Sequence, residues 1–153
     1  MANTFSQIYL QFVFAVKHRQ YLIPKEHKEE LHKYFNGLVK NRSAKMLAVN
    51  CMPDHTHLFV GFKPNVLISD FVKELKIESN QFINGKKWTK AKFNWQEGYG
   101  VVSYSHSHIG SVIKYTLNQE IRHKKVSFKQ EYHEFLGRFK VSFEEKYLFE
   151  FFD

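Results

Sequence analysis

The sequence predicts an α+β fold: a ferredoxin-like antiparallel sheet with helices on one face and extra helices at the C-terminus. Three observations lead to this prediction. Apolar and polar residues alternate with a period of two in several short segments, and a Pro-Asp turn joins two of these segments into a hairpin. Two helical patterns separate the strands in the order strand, helix, strand, strand, helix, strand, which is the split β-α-β arrangement.

The first half of the chain supplies a strand, a helix and the hairpin. Alternating β-branched and aromatic residues from Ile8 to Val16 indicate the first strand. Pro24 is suited to the first turn of a helix that we expect to reach about Lys40. The second strand is predicted from Lys45 to Met52, and Pro53-Asp54 turns the chain into the third.

The second half is predicted to contain three helices. Ser69 or Asp70 could cap the first of them, which should run to about Ile83. Segments 93–95 and 101–104 are then predicted as two short strands, or as one strand with an insertion. A further helix is expected over roughly 111–124, and Ser127 has capping-box spacing for another through Phe139. The apolar tail, residues 147–153, should dock onto the fold.

Composition limits the class of protein. A chain of 153 residues, 43% hydrophobic and 17% aromatic, is most simply one folded domain over 1–153. The net charge of +8 favours polyanionic partners, nucleic acid first. Cys51 is the single cysteine and lies in an apolar strand pattern, so we expect a small buried residue rather than a catalyst. Without an apolar run of about 18 residues, we expect a cytoplasmic protein with no membrane partner.

Two histidines begin the third predicted strand. His55, His57 and Phe59 should share one face of this strand, because side chains alternate in direction along a strand. Two imidazoles at this spacing stand side by side and can both reach one divalent ion. By spacing alone, however, a polar strand end remains the better explanation.

The predicted helix over 111–124 carries a second group of polar residues. At about 100° per residue, its apolar residues Ile113, Leu117 and Ile121 should be buried together. The opposite side should present a phenol, an amide oxygen and a guanidinium, from Tyr115, Gln119 and Arg122. With the two imidazoles, this set could hold a metal against a phosphodiester and supply a tyrosine to attack it.

At these residues the chain resembles the single-tyrosine transposases of the HUH endonuclease superfamily, which the smallest bacterial insertion sequences carry. The matching segments cover most of the chain in the expected order, and they are 52–60, 71–76, 94–100 and 112–119. Thr56 is a departure, since a plain hydrophobic residue usually separates the two histidines. We expect this threonine to change only local packing.

The resemblance implies a transposase that cuts and rejoins single-stranded or hairpin DNA through a 5′-phosphotyrosine intermediate. His55 and His57 would be metal ligands, Gln119 would complete the metal site, and Tyr115 would be the nucleophile. The metal would be Mg²⁺ or Mn²⁺, and no nucleotide cofactor would be needed. Separately, the cations Lys73, Lys76, Lys114 and Arg122 are candidate DNA contacts.

The resemblance also implies that the tyrosine helix can complete the site of a second subunit. A homodimer is expected because strand exchange must hold two DNA ends, and because the apolar residues Phe149, Phe151 and Phe152 could form an interface. A monomer whose tail folds back over its own sheet is the alternative.

Two other functions remain open from the residues alone. A non-catalytic module that binds single-stranded nucleic acid would explain the charge and the aromatic residues, but would not need Tyr115 beside Gln119. A metal-free two-histidine phosphoesterase would need a second His-x-Thr/Ser motif on a strand. His106-Ser107-His108 is a second His-x-His, but its polar surroundings predict a segment leading into a helix or lying near DNA.

Overall fold

A computed structural model of the chain describes residues 4–17, 22–142, 144, 148, 149 and 151. It contains a four-stranded antiparallel sheet in the order β2-β3-β1-β4. The strands are β1 (Ile8–Ala15), β2 (Lys45–Cys51), β3 (His55–Phe62) and β4 (Gly100–Tyr104). The helices are α1 (Lys28–Asn41), α2 (Ile68–Lys86), α3 (Ile109–Leu117), α4 (Gln119–Arg122) and α5 (Phe128–Arg138). The predicted ferredoxin-like α+β fold is confirmed.

The two faces of the sheet are covered by different helices. Phe12 and Phe14 of β1 are fully buried against α1 and α2, where Phe12 meets Phe71 and Phe14 meets Phe35. The odd-numbered residues of β1 and β3 point to the other face of the sheet, towards α3 and α5. Phe59, for example, packs there with Val112 of α3. The C-terminal helices therefore cover the face of the sheet that α1 and α2 leave exposed.

Helix α2 and the segment after it differ in detail from the prediction. Ser69 and Asp70 lie inside the first turn of α2, and Leu67 is the residue that precedes it, so the predicted cap is wrong. Asp70 still suits this position, because a negative charge is favourable at a helix N-terminus. Segment 93–95 contributes an isolated pair between Val16 and Trp95, and β4 is the strand that joins the sheet.

The predicted long helix is broken, and its buried side was wrongly assigned. Asn118 separates α3 from α4, and Leu117 and Ile121 are 58% and 60% exposed. Thr116 and Gln119 are fully buried instead. The break has a polar cause: the side chain of Asn50 on β2 donates to the carbonyls of Thr116 and Leu117 at 2.9 and 3.3 Å, which satisfies the end of α3 at the sheet.

Helix α5 and the tail follow the prediction. The Gln130 N–H donates to the Ser127 hydroxyl at 3.1 Å, as a capping residue requires. Among the described tail residues, Phe149 is buried against α5, with its ring 4.9 Å from that of Tyr132. Phe151 also contacts α5, whereas Phe152 lies outside the described residues. Two of the three phenylalanines expected at a dimer interface are thus used within the chain.

Within the described ranges, none of the helices combines the length and the apolar composition that crossing a membrane requires.

Gly100 tests the docking of α5 on the sheet. A Cβ at this position would lie 2.7 Å from the Tyr132 hydroxyl, so Gly100→Ala should force the buried Tyr132 ring of α5 to move and cost about 1–3 kcal/mol of unfolding free energy. Gly37→Ala is the matched control, because nothing lies within 4 Å of its Cβ and alanine favours a helix. Urea denaturation measures both. Equal stability of the two variants would contradict this packing of α5.

Candidate functional site

His55 and His57 lie side by side at the start of β3. Both are 1% exposed, and their ring centroids are 5.2 Å apart. The alternation of the strand directs both imidazoles to the face under α3 and α5. Thr56 points the other way, is fully buried and pairs with Phe14 of β1. A threonine in place of the usual hydrophobic residue therefore affects packing on the other face of the sheet, away from the histidines.

Each imidazole has a hydrogen-bonding partner at its Nδ1 atom. Asp54 Oδ1 lies 2.6 Å from His55 Nδ1, and the Gln11 amide lies 3.2 Å from His57 Nδ1. Burial works against the carboxylate of Asp54, but its hydrogen bond to His55 lowers its pKa overall. At His55, the Asp54 carboxylate fixes the ring orientation and leaves Nε2 free for an ion, as in metal-binding histidines. At His57, the amide nitrogen of Gln11 holds the ring in place. Desolvation lowers the pKa of His57, which favours the neutral form that binds metal.

Tyr115 approaches the histidine pair from α3. Its ring centroid lies 5.8 Å from that of His57, and its hydroxyl donates to Glu131 Oε2. The Arg122 guanidinium lies over the same ring, 5.3 Å from its centroid. Burial and the adjacent Glu131 carboxylate raise the pKa of Tyr115, so the phenol is protonated in this arrangement.

Gln119 reaches the same place from α4. Its side chain is fully buried, and its Oε1 lies 3.4 Å from His55 Nε2. The structure therefore brings together the four residues that the sequence singled out for the site. The prediction that Tyr115 and Gln119 share one face holds, although that face is turned towards the sheet rather than away from it.

Glu131 of α5 lies at the centre of the site, and sequence reasoning missed it. Its Oε1 is 3.1 Å from His57 Nε2 and 3.7 Å from His55 Nε2, while Gln119 Nε2 and Arg122 Nε each donate to Oε2 at 3.1 Å. Desolvation works against its ionisation, but hydrogen bonds from His123 and His57 hold the pKa of Glu131 well below its usual range. One signal was available: Glu131 interrupts the apolar stripe of α5, where the other members are Phe128, Tyr132 and Phe135.

His123 was also missed, and it supports two of these groups. Its Nε2 lies 2.9 Å from Gln119 Oε1 and 3.2 Å from Glu131 Oε1. Its Nδ1 lies 2.9 Å from the carbonyl oxygen of Val126, which can only accept. Although desolvation works in the opposite direction, the Glu131 carboxylate raises the pKa of His123, and a charged imidazole can donate on both sides.

The residues present fit a divalent metal. Ligand atoms of His55, His57 and Glu131 lie within 4.8 Å of one another, and all three residues are buried. Gln119 Oε1 adds a neutral oxygen beside them. Two imidazoles with one carboxylate and one amide oxygen form a donor set that suits Mn²⁺, Co²⁺ or Zn²⁺ as well as the harder Mg²⁺.

The predicted DNA-contacting cations are spread over the molecule. Lys114 and Arg122 lie beside Tyr115, where they help to line a pocket of ≈ 440 Å³. Lys73 is exposed on α2, the helix that covers the opposite face of the sheet. Lys76 is engaged within the chain, since its ammonium donates to the carbonyls of Gln96 and Gly98 at 2.8 and 2.5 Å.

The second histidine pair and the cysteine lie outside the site. His106 and His108 are exposed in a 3-10 turn directly before α3, as expected for a segment leading into a helix. His108 also lines a pocket of ≈ 280 Å³ that opens beside Tyr115. Burial raises the pKa of the Cys51 thiol to about 12, so this residue is unreactive, as predicted.

Comparison with known proteins identifies the family. The model of a family described as IS200-like transposases matches residues 4–119, which include the histidine strand and the tyrosine helix. The chain belongs to this transposase family. The ISDra2 transposase TnpA of Deinococcus radiodurans is 24% identical over 118 residues, which are 74% of this chain and 84% of that protein.

Two solved structures share the fold of this IS200-like transposase. One is a Deinococcus radiodurans protein described as a candidate transposase, with a TM-score of 0.60 and 23% identity over 78% of this chain and 95% of the other. The second is a REP-associated tyrosine transposase bound to a REP hairpin, with a TM-score of 0.59 and 13% identity over 82% and 74% of the two chains. The family match ends at Gln119, so His123 and Glu131 lie beyond it.

Lys76 offers a test by pH of its place inside the fold. Burial lowers its pKa from 10.5 to about 8, so between these values the unfolded chain binds more protons than the folded one. Stability should therefore rise from about pH 8 to about pH 10 relative to Lys76→Met, which cannot titrate. Denaturation of both proteins across this range measures the difference. A difference that is constant or falls with pH would contradict the lowered pKa of this half-buried ammonium.

Proposed function

We propose that this transposase cleaves and rejoins single-stranded DNA with Tyr115 as the nucleophile and a divalent metal bound by His55, His57 and Gln119. The phenol oxygen forms a bond to phosphorus while the bond from phosphorus to the neighbouring 3′-oxygen breaks. A 5′-phosphotyrosine and a free 3′-hydroxyl result, and the leaving oxygen takes up the proton. Attack by a 3′-hydroxyl of another strand reverses the step and releases Tyr115.

One observation carries the proposal: the nucleophile and both candidate imidazole ligands meet at a single buried carboxylate. The Tyr115 hydroxyl contacts one oxygen of Glu131, and the Nε2 atoms of His55 and His57 lie within 3.7 Å of the other. A phosphodiester placed at Tyr115 would therefore lie next to the metal position. This proximity is what an in-line displacement at phosphorus requires.

The metal, when bound, would supply positive charge to the phosphoryl oxygens and to the developing oxyanion. The remaining work falls to residues of the chain. Asp54 and Gln11 orient the imidazoles, and Arg122 provides a fixed cation beside the phenol ring. Since burial and Glu131 raise the pKa of Tyr115, a nearby cation is needed before the phenol can become a good nucleophile.

Single-stranded or hairpin DNA is the proposed substrate, without a nucleotide cofactor. The chain carries a net charge of +8, and Lys114, Arg122 and Lys125 line the pocket beside Tyr115. The ring of Tyr115 and the side chain of Ile121 give this pocket apolar surface for an unpaired base. The structure of the REP-associated tyrosine transposase with the same fold contains a bound REP hairpin, which is consistent with this substrate class.

The first test removes the nucleophile and keeps its ring. Tyr115→Phe should fold and bind DNA, but its cleavage should fall by about 10³-fold or more, because the attacking oxygen is lost. The measurement is a denaturant-resistant adduct between the protein and labelled single-stranded DNA in Mg²⁺ or Mn²⁺. Tyr104→Phe and Tyr99→Phe are controls that should still form the adduct. Adduct formation by Tyr115→Phe would refute the assignment, and its absence in the wild type would favour a non-catalytic binding module.

The second test asks whether the site works within one chain. Because Tyr115 already lies beside His57 of its own chain, we propose action in cis, which differs from the shared sites that the family resemblance implied. A mixture of Tyr115→Phe and His55→Ala proteins should then remain inactive. Recovery of cleavage after subunit exchange would show that the tyrosine serves a second subunit. The homodimer itself stays a prediction, and the mass of the protein in solution tests it.

A further inference from the structure

We infer that Glu131, on a helix beyond the segment shared with the family, is an additional ligand of the metal and at the same time holds Tyr115 in place. One carboxylate oxygen, Oε1, would bind the ion, and the other, Oε2, accepts the hydrogen bond from the tyrosine. The inference rests on the metal site of the proposed function and adds a residue to it.

The distances around Oε1 are close to those of a coordination shell. Atoms bonded to one ion at 2.0–2.2 Å are separated by about 3.0–3.6 Å at octahedral or tetrahedral angles. Glu131 Oε1 lies 3.1 Å from His57 Nε2 and 3.7 Å from His55 Nε2, and Gln119 Oε1 lies 3.4 Å from His55 Nε2. All three separations are close to this range, and the ligand atoms of His55, His57 and Glu131 all lie within 4.8 Å of one another. One ion can therefore bridge these atoms once the two imidazoles move closer together.

The second oxygen faces away from the histidines. Glu131 Oε2 accepts hydrogen bonds from the Tyr115 hydroxyl, from Gln119 Nε2 and from Arg122 Nε. The two oxygens thus contact two different parts of the site. A carboxylate in this position keeps the phenol at a fixed distance from the ion, which restricts the nucleophile to one orientation.

The burial of the Glu131 carboxylate indicates that positive charge must lie close to it. The residue is 2% exposed and interrupts the apolar stripe by which α5 packs on the sheet. A charge buried there is costly unless cations surround it. Arg122 and His123 supply positive charge, and an ion beside Oε1 would supply more.

The complete set of ligands also determines which metal the site should prefer. Mg²⁺ is commonly held by one or two carboxylates together with several waters, whereas imidazole suits transition metals. A shell of two imidazoles, one carboxylate and one amide oxygen leaves few positions for water. Mg²⁺ gives up its waters reluctantly, so we expect the full chain to bind Mn²⁺ at least about tenfold more tightly than Mg²⁺.

The experiment measures Mn²⁺ binding directly, without DNA, from the electron paramagnetic resonance signal of free Mn²⁺. The full-length wild type is compared with Glu131→Gln, Glu134→Gln and His57→Ala. Glu131→Gln should weaken Mn²⁺ binding by at least about tenfold, as expected for loss of a ligand. Glu134→Gln is the matched control: Glu134 also pairs with Arg122, at 3.1 Å, but lies on the exposed side of α5, so affinity should not change.

The outcomes separate this inference from the proposed function. Unchanged or tighter Mn²⁺ binding by Glu131→Gln would overturn the ligand role, and tighter binding would show that the carboxylate blocks the site. Retention of binding by His57→Ala would instead refute the histidine metal site itself. If Glu131→Gln does not fold, the wild type decides: Mn²⁺ should show electron-nuclear coupling to a ¹³C-labelled glutamate carboxyl group, and its absence would overturn the inference.

Discussion

The buried carboxylate of Glu131 is the contact on which the arrangement of the site depends. It connects α5 to His57 on β3, to Tyr115 on α3 and to Gln119 on α4, so four elements are held together by one side chain. These elements are otherwise short, and α4 is a single turn. A helix of this length has little stability of its own. The polar contacts, rather than helix propensity, therefore fix where the amide oxygen of Gln119 lies.

The parts of the fold that the sequence predicted well are those with an unambiguous period. Alternation over Ile8–Ala15 and His55–Phe62 determines both the strands and the face that each histidine occupies. The buried side of the single helix expected over 111–124 was predicted wrongly because Ile113, Leu117 and Ile121 form a plausible apolar stripe. The real buried side contains Thr116 and Gln119, whose burial is supported by Asn50 and by the site itself.

The residues that completed the site could not be predicted from local pattern alone. Glu131 and His123 come from the chain after the family segment, and long-range contacts bring them to β3 across about 70 residues of sequence. An acidic residue on an apolar stripe indicates that it has a polar partner in the fold, but the pattern does not identify that partner. The histidine pair and Tyr115, in contrast, were singled out because their spacing and order resemble those of single-tyrosine transposases, and all three lie within the segment that the family model matches.

The aromatic tail makes the end of the chain part of the environment of the first histidine. Phe149 packs on Tyr132 and Phe128, and the Phe128 ring stacks on His55 with centroids 3.9 Å apart and planes within 4°. Losing the tail would open one side of that stack to water and raise the polarity around an imidazole nearly 100 residues away. Changes at Phe149 or Phe151 should therefore be treated as changes near the site.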